Sequence, residues 1–100
     1  MPRWTMETEH QLGREEAIRR LKEKFVETRR QYGEDVDELE ERWEDHTFRF
    51  GFRALGMKVA GTITVDEDRV RLDTELPMAA MLVRGMIEQR VREQLGDLLA

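Results

Sequence analysis

The stretch TFRFGFRALGMKVAGTITVDEDRVRLDTEL, residues 47–76, alternates apolar and polar side chains in three consecutive runs. Phe48, Phe50 and Phe52 are separated by Arg49 and Gly51, with Arg53 next on the polar side. Met57, Val59, Ile63 and Val65 are separated by Lys58, Ala60, Thr62 and Thr64, with Gly61 in an apolar slot. Val70, Leu72 and Leu76 alternate with Arg71, Asp73 and Glu75. A period of two sends successive side chains to opposite faces of a pleated sheet, so each run predicts a strand with one apolar face. Leu55-Gly56 and Asp66-Glu67-Asp68 read as the intervening turns. Connections this short make antiparallel neighbours, because a parallel return needs a crossover of a dozen or more residues. The product is a meander with one oily face that other elements must cover. Phe50, at mid-strand on the inward parity, is expected in the core, where truncation to alanine costs about 3 to 5 kcal/mol.

Outward from the meander, Trp4, Met6, Thr8, His10 and Leu12 alternate with polar residues, predicting a first strand over residues 3–12. After Gly13, Ala17, Ile18, Leu21, Phe25, Val26 and Tyr32 recur at helical spacing. Glu15 and Glu16 suit the first helical turn, and they stand four residues before Arg19 and Arg20, pairs of roughly 0.2 to 0.5 kcal/mol each. Tyr32-Gly33 suits a left-handed helix cap. The charged residues of this helix read as a solvated face, the bases balanced by Glu23 and Glu27. Residues 34–38 form an acidic connection, and Leu39 to Glu44 a further strand turning tightly at Asp45-His46 into the meander. Pro77 stops the last strand, and residues 78–99 read as one helix, apolar all round at first and narrowing to Ile87, Val91, Leu95 and Leu98. The order is β-α-β-β-β-β-α: an α+β fold, a single domain over residues 1–100, with one antiparallel sheet and both helices on its apolar face.

Composition narrows the chemistry. The chain has 100 residues, no cysteine and no serine, which removes disulfides, thiolate chemistry and the commonest hydrolase nucleophile. The net charge of −5 is local: Gly33 to His46 carries eight acids and one base, while the remainder carries fourteen acids and sixteen bases. Such an acidic segment does not suit phosphate backbones, so nucleic acid is not an expected partner. The start, Met-Pro-Arg-Trp-Thr-Met-Glu, lacks the apolar core of a secretory signal, no run approaches membrane-spanning length, and a cytoplasmic location is expected. His10 and His46 are the only imidazoles. His10 falls on the inward parity as a hydrogen-bonded structural residue, and His46 in a solvated turn. Asp66-Glu67-Asp68 lacks the spacing of a calcium loop. Glu44-Asp45 are adjacent at a strand end and point apart. No catalytic residue, metal ligand or cofactor is assigned, and the protein is expected not to be an enzyme.

Glu9-His10-Gln11-Leu12-Gly13-Arg14-Glu15-Glu16-Ala17, then Trp43 with Phe48-Arg49-Phe50, resemble the polyhydroxyalkanoic acid system family. So do Gly56 to Val65, and Leu76-Pro77, Gly85, Ile87-Glu88 and Val91-Arg92, so that the resemblance covers nearly the whole chain. These are small bacterial proteins encoded beside genes for making and using polyhydroxyalkanoate storage polyester, some of them linked to the granule surface. The resemblance implies a hydrophobic granule surface or its coat proteins as partners, and carries no catalytic residue.

Two non-catalytic roles compete on the residues. In one, Met78, Met81, Leu82 and Met86 form an adaptable apolar surface that docks on a hydrophobic partner or on a second copy, as methionine-rich surfaces do. The bland alternative is that they cap the sheet as core. In the other role, the sheet and last helix enclose a pocket for an acyl chain or other apolar ligand, in the manner of helix-grip domains. An unfilled apolar cavity favours the pocket; a solid core with an exposed methionine patch favours docking.

Overall fold

In the computed structural model, which describes residues 2–54 and 56–100, the alternating runs are strands. The elements are β1 (Arg3–Glu9), α1 (Arg14–Tyr32), a 3-10 turn (Gly33–Asp35), β2 (Asp37–Glu44), β3 (Thr47–Ala54), β4 (Met57–Val65), β5 (Arg69–Glu75), α2 (Met78–Met81) and α3 (Arg84–Leu98). All neighbouring strands are antiparallel, in the order β1-β5-β4-β3-β2. The meander supplies three adjacent strands, β2 pairs with its outer edge, and β1 closes the far edge by pairing Trp4 with Thr74 and Met6 with Leu72. Of the turn expected at Leu55-Gly56, Leu55 lies outside the described residues, while Gly56 has a φ of 75°.

Cross-strand pairs share a face, so the register decides what is inside. One row across the sheet reads Glu41, Phe50, Gly61, Thr74 and Trp4. Thr74 is buried, and its hydroxyl donates to the Ala60 carbonyl at 2.8 Å. α1 lays Ala17 and Leu21 on Val65 and Val70, with Leu99 closing the cluster. α3 lays Ile87, Val91 and Leu95 beside Trp4, Met6, Leu72 and Leu76. Both long helices thus cover the same face of the sheet. The other face carries cross-strand ion pairs, among them Arg3 with Asp73 at 2.7 Å and Arg49 with Glu44 at 3.5 Å.

Several boundaries differ from the sequence-based reading. Strand β1 ends at Glu9, because the Leu12 N–H is taken by the His10 ring and Gly13, at φ 81°, turns the chain into α1. Gly33 is not a left-handed cap: at φ −60° it keeps an ordinary helical bond to the Arg29 carbonyl and the chain tightens into the 3-10 turn. Strand β2 starts two residues early, at Asp37, with an irregularity between Asp37 and Glu40 and Glu38 at φ 52°. The single helix expected over residues 78–99 is two helices. Val83 leaves helical geometry at φ −117°, and its carbonyl caps the new start by accepting from the Met86 and Ile87 N–H groups.

The end of α1 nearest Gly13 has no capping side chain of its own. Glu67, in the turn after β4, supplies a carboxylate there, accepting from the Arg14 N–H at 3.4 Å, which favours the positive end of the helix dipole. Glu16 lies one turn on, and pairs with Arg20 at 2.9 Å as expected. Arg19, however, turns from Glu15 to Glu16 and Glu23. Hydrogen bonds from Arg19 and then Arg20 hold the Glu16 carboxyl at about 2, against an ordinary 4.5. Arg20 also donates to the carbonyls of Leu98 and Ala100, tying α1 to the end of α3. A depressed carboxyl stabilises the fold above its unfolded value, and that contribution is lost as pH falls from about 4.5 toward about 2. Glu16→Gln should therefore lower stability at neutral pH, flatten the stability profile in that window and leave the strongly acidic side unchanged. The effect is modest because the pairs are solvated. Urea titrations across pH check it.

Candidate functional site

The segment joining α2 to α3 carries the most exposed large apolar side chains of the described residues. Met78 is 73% exposed, Leu82 87% and Met86 73%, with Val83 beside them at 47%. Met78 opens α2, Leu82 follows its end and Met86 lies in the first turn of α3, so the three flank the break at Val83. Met81 points differently: it is half-buried and packs against the cluster of Trp4, Met6, Leu72 and Leu76. The all-round apolar run is thus divided, Ala80, Met81 and Ile87 serving the sheet while Met78, Leu82, Val83 and Met86 are left to solvent. Unbranched or flexible apolar side chains facing water are of the kind that adaptable contact surfaces use.

A second feature lies under α1. Phe25 stacks on Phe48 with ring centroids 4.4 Å apart, and beyond Phe25 the stripe fades. The next positions facing the sheet are Thr28, Arg29 and Tyr32, while Val26 and Tyr32, both read in sequence as part of the stripe, are 47% and 52% exposed. The sheet beneath stays apolar, with Phe50, Phe52 and Ile63 only half-buried. A groove of about 300 Å³ results between α1 and strands β2 and β3. At its side Glu41, inward on β2, pairs with Arg29 at 3.2 Å. A further gap of about 590 Å³ opens between α1 and α3, and the two share Phe25, Thr28, Tyr32, Phe50 and Ile63 as walls. The helices meet at Arg20, Leu21 and Leu98 and part toward Gln31 and Arg90. The sign in sequence was the change from Leu21 and Phe25 to Thr28 and Arg29 at the same helical spacing.

His10 is 6% exposed, and both ring nitrogens are engaged. Nδ1 accepts from the Leu12 N–H at 3.2 Å, which leaves the proton on Nε2 to donate to the Asp66 carbonyl at 3.1 Å. His46 is exposed in the turn between β2 and β3. Asp66, Glu67 and Asp68 gather no third kind of ligand, and no cluster of three or more acids and histidines occurs among the described residues. No described helix is long and apolar enough to cross a membrane.

These features define a small α+β protein with an exposed apolar segment and an apolar groove between helix and sheet. Residues 5–99 match the model of the family described as "Putative polyhydroxyalkanoic acid system protein". The chain belongs to this family. No match was found among curated proteins or among solved structures.

Proposed function

We propose that this chain is a non-catalytic interaction module of the polyhydroxyalkanoate storage system, docking through the α2–α3 segment. The observation that carries the reading is the exposure of Met78, Leu82 and Met86 at 73%, 87% and 73% on one short segment. Its occupant is a hydrophobic granule surface or the proteins coating it, with a second copy of the chain competing for the same side chains. Burying three such side chains gains roughly 1.5 to 3 kcal/mol each before the costs of association. The fold does not need them, since exposed positions contribute within about 0.5 kcal/mol. The variant M78Q/L82Q/M86Q should therefore keep its circular dichroism spectrum and denaturation midpoint. Sedimentation velocity should then show a smaller assembly than the unaltered protein. An unaltered assembly size would remove self-association from the reading.

A second reading is favoured by the groove. A cavity of about 300 Å³ walled by Phe25, Phe48, Phe50, Phe52 and Ile63 falls at the small end of ligand sites and suits an acyl chain or similar apolar molecule. The groove lies under α1 and not under the last helix, where the sequence-based reading placed the pocket. The two readings use different residues, so variants at one site leave the other intact.

A further inference from the structure

We infer that the gap between α1 and α3 binds a single-tailed anionic amphiphile of the fatty-acid class, its tail on the aromatic floor and its carboxylate between Lys24 and Arg90. The inference rests on the second reading above and adds to it the head group, its location and its charge.

The floor is the half-buried inward face of the sheet, where Phe50 and Ile63 line both the 300 Å³ groove and the 590 Å³ gap. The two spaces share Phe25, Thr28, Tyr32, Phe50 and Ile63 as walls, and together offer room for a flexible chain that bends around Phe25. A tail there replaces water on apolar surface that α1 fails to cover, which is the main source of affinity for such a ligand. The walls at the open end are polar in one sense only. Lys24 projects from α1 and Arg90 from α3, with Gln31 and Gln94 nearby, and no acid lines the gap. The bases elsewhere on the inward side are already matched: Arg29 with Glu41 at 3.2 Å, Arg20 with Glu16 at 2.9 Å, and Lys22 over the Trp43 ring at 5.3 Å. Lys24 and Arg90 make no ion pair among the described residues. Two unmatched cations from different helices, at the mouth of an apolar hollow, complement an anionic head on an apolar tail. A neutral ligand would leave that charge unused, and an apolar protein segment would leave it facing no partner.

The test uses the full chain with dodecanoate and with dodecanol, both below the concentrations at which they aggregate, in isothermal titration. The protein should bind both and prefer the carboxylate. Lys24→Gln/Arg90→Gln should weaken dodecanoate binding by at least about tenfold, the scale of a charge-assisted contact, and leave dodecanol binding unchanged. Thr28→Trp, at an exposed position between the two spaces, should abolish binding of both without unfolding the chain. Equal affinities for the two probes, unaltered by Lys24→Gln/Arg90→Gln, would overturn the head-group site and leave the apolar groove standing. Binding of neither probe to the unaltered protein would overturn both.

Discussion

Phe48→Ala should lower stability by about 3 to 5 kcal/mol, a large share of what holds a domain of this size together. Phe48 is 4% exposed and is the residue on which α1 and the outer strands meet. Its ring stacks on Phe25 at 4.4 Å, and lies 5.0 Å from Trp43 and 6.1 Å from Phe50. Truncation removes all three contacts and joins the space left behind to the neighbouring groove, so the site cannot close by collapse. Phe50→Ala should cost less, because Phe50 already faces the hollow and is half-buried; the sequence-based expectation placed the full cost there. Arg49→Ala, on the opposite face, should cost under about 0.5 kcal/mol. Chemical denaturation of the three variants orders them, and equal stabilities for Phe48→Ala and Arg49→Ala would mean that the meander faces the other way.

Gly61→Ala should be the next most damaging change, at the upper end of the roughly 1 to 3 kcal/mol typical of overpacking. A Cβ at this position would strike the Thr74 hydroxyl, lie 2.5 Å from the Asp73 carbonyl oxygen and 2.7 Å from the Thr74 Cβ. The obstruction includes main chain of β5, which cannot rotate away as a side chain can. Gly61 is glycine because Thr74 leans over it to reach the Ala60 carbonyl. Gly51→Ala, where the nearest atom would be 3.7 Å away, should instead be neutral or stabilising by up to about 1 kcal/mol. Thermal melts of the pair check the contrast.

The parts of the fold legible in sequence were those in which one physical rule acts alone. Alternation set the strands of the meander and their inward residues, because a slip of one residue would reverse every side chain. The parts that were not legible depended on a contact distant in sequence. Leu12 extends the alternation of β1, but a ring nitrogen of His10 takes its N–H and the strand ends. Asp66-Glu67-Asp68 reads only as an acidic turn, although Glu67 serves the start of α1. Glu38 gives no glycine-like sign of its positive φ. The helix break at Val83 follows from the competition between sheet and solvent for one all-apolar run, which no periodicity within that run expresses. The exposed segment was legible as a surplus of apolar directions, but not its division, which turns Met81 inward and leaves Leu82 out. An apolar pocket was expected at the last helix, and its place under α1 went unread because Val26 and Tyr32 continue the stripe in type while standing half out of it in space.

The fold and the exposed segment together make a specific claim about binding: apolar contact through Met78, Leu82 and Met86, with the sheet as scaffold. Co-sedimentation with purified polyester granules tests it most directly, comparing the unaltered chain with M78Q/L82Q/M86Q at equal concentration. The unaltered chain should pellet with the granules and the triple variant should stay in the supernatant while retaining its circular dichroism spectrum. Equal pelleting of the two, or an unaltered chain that stays in the supernatant, would contradict the docking role of the segment.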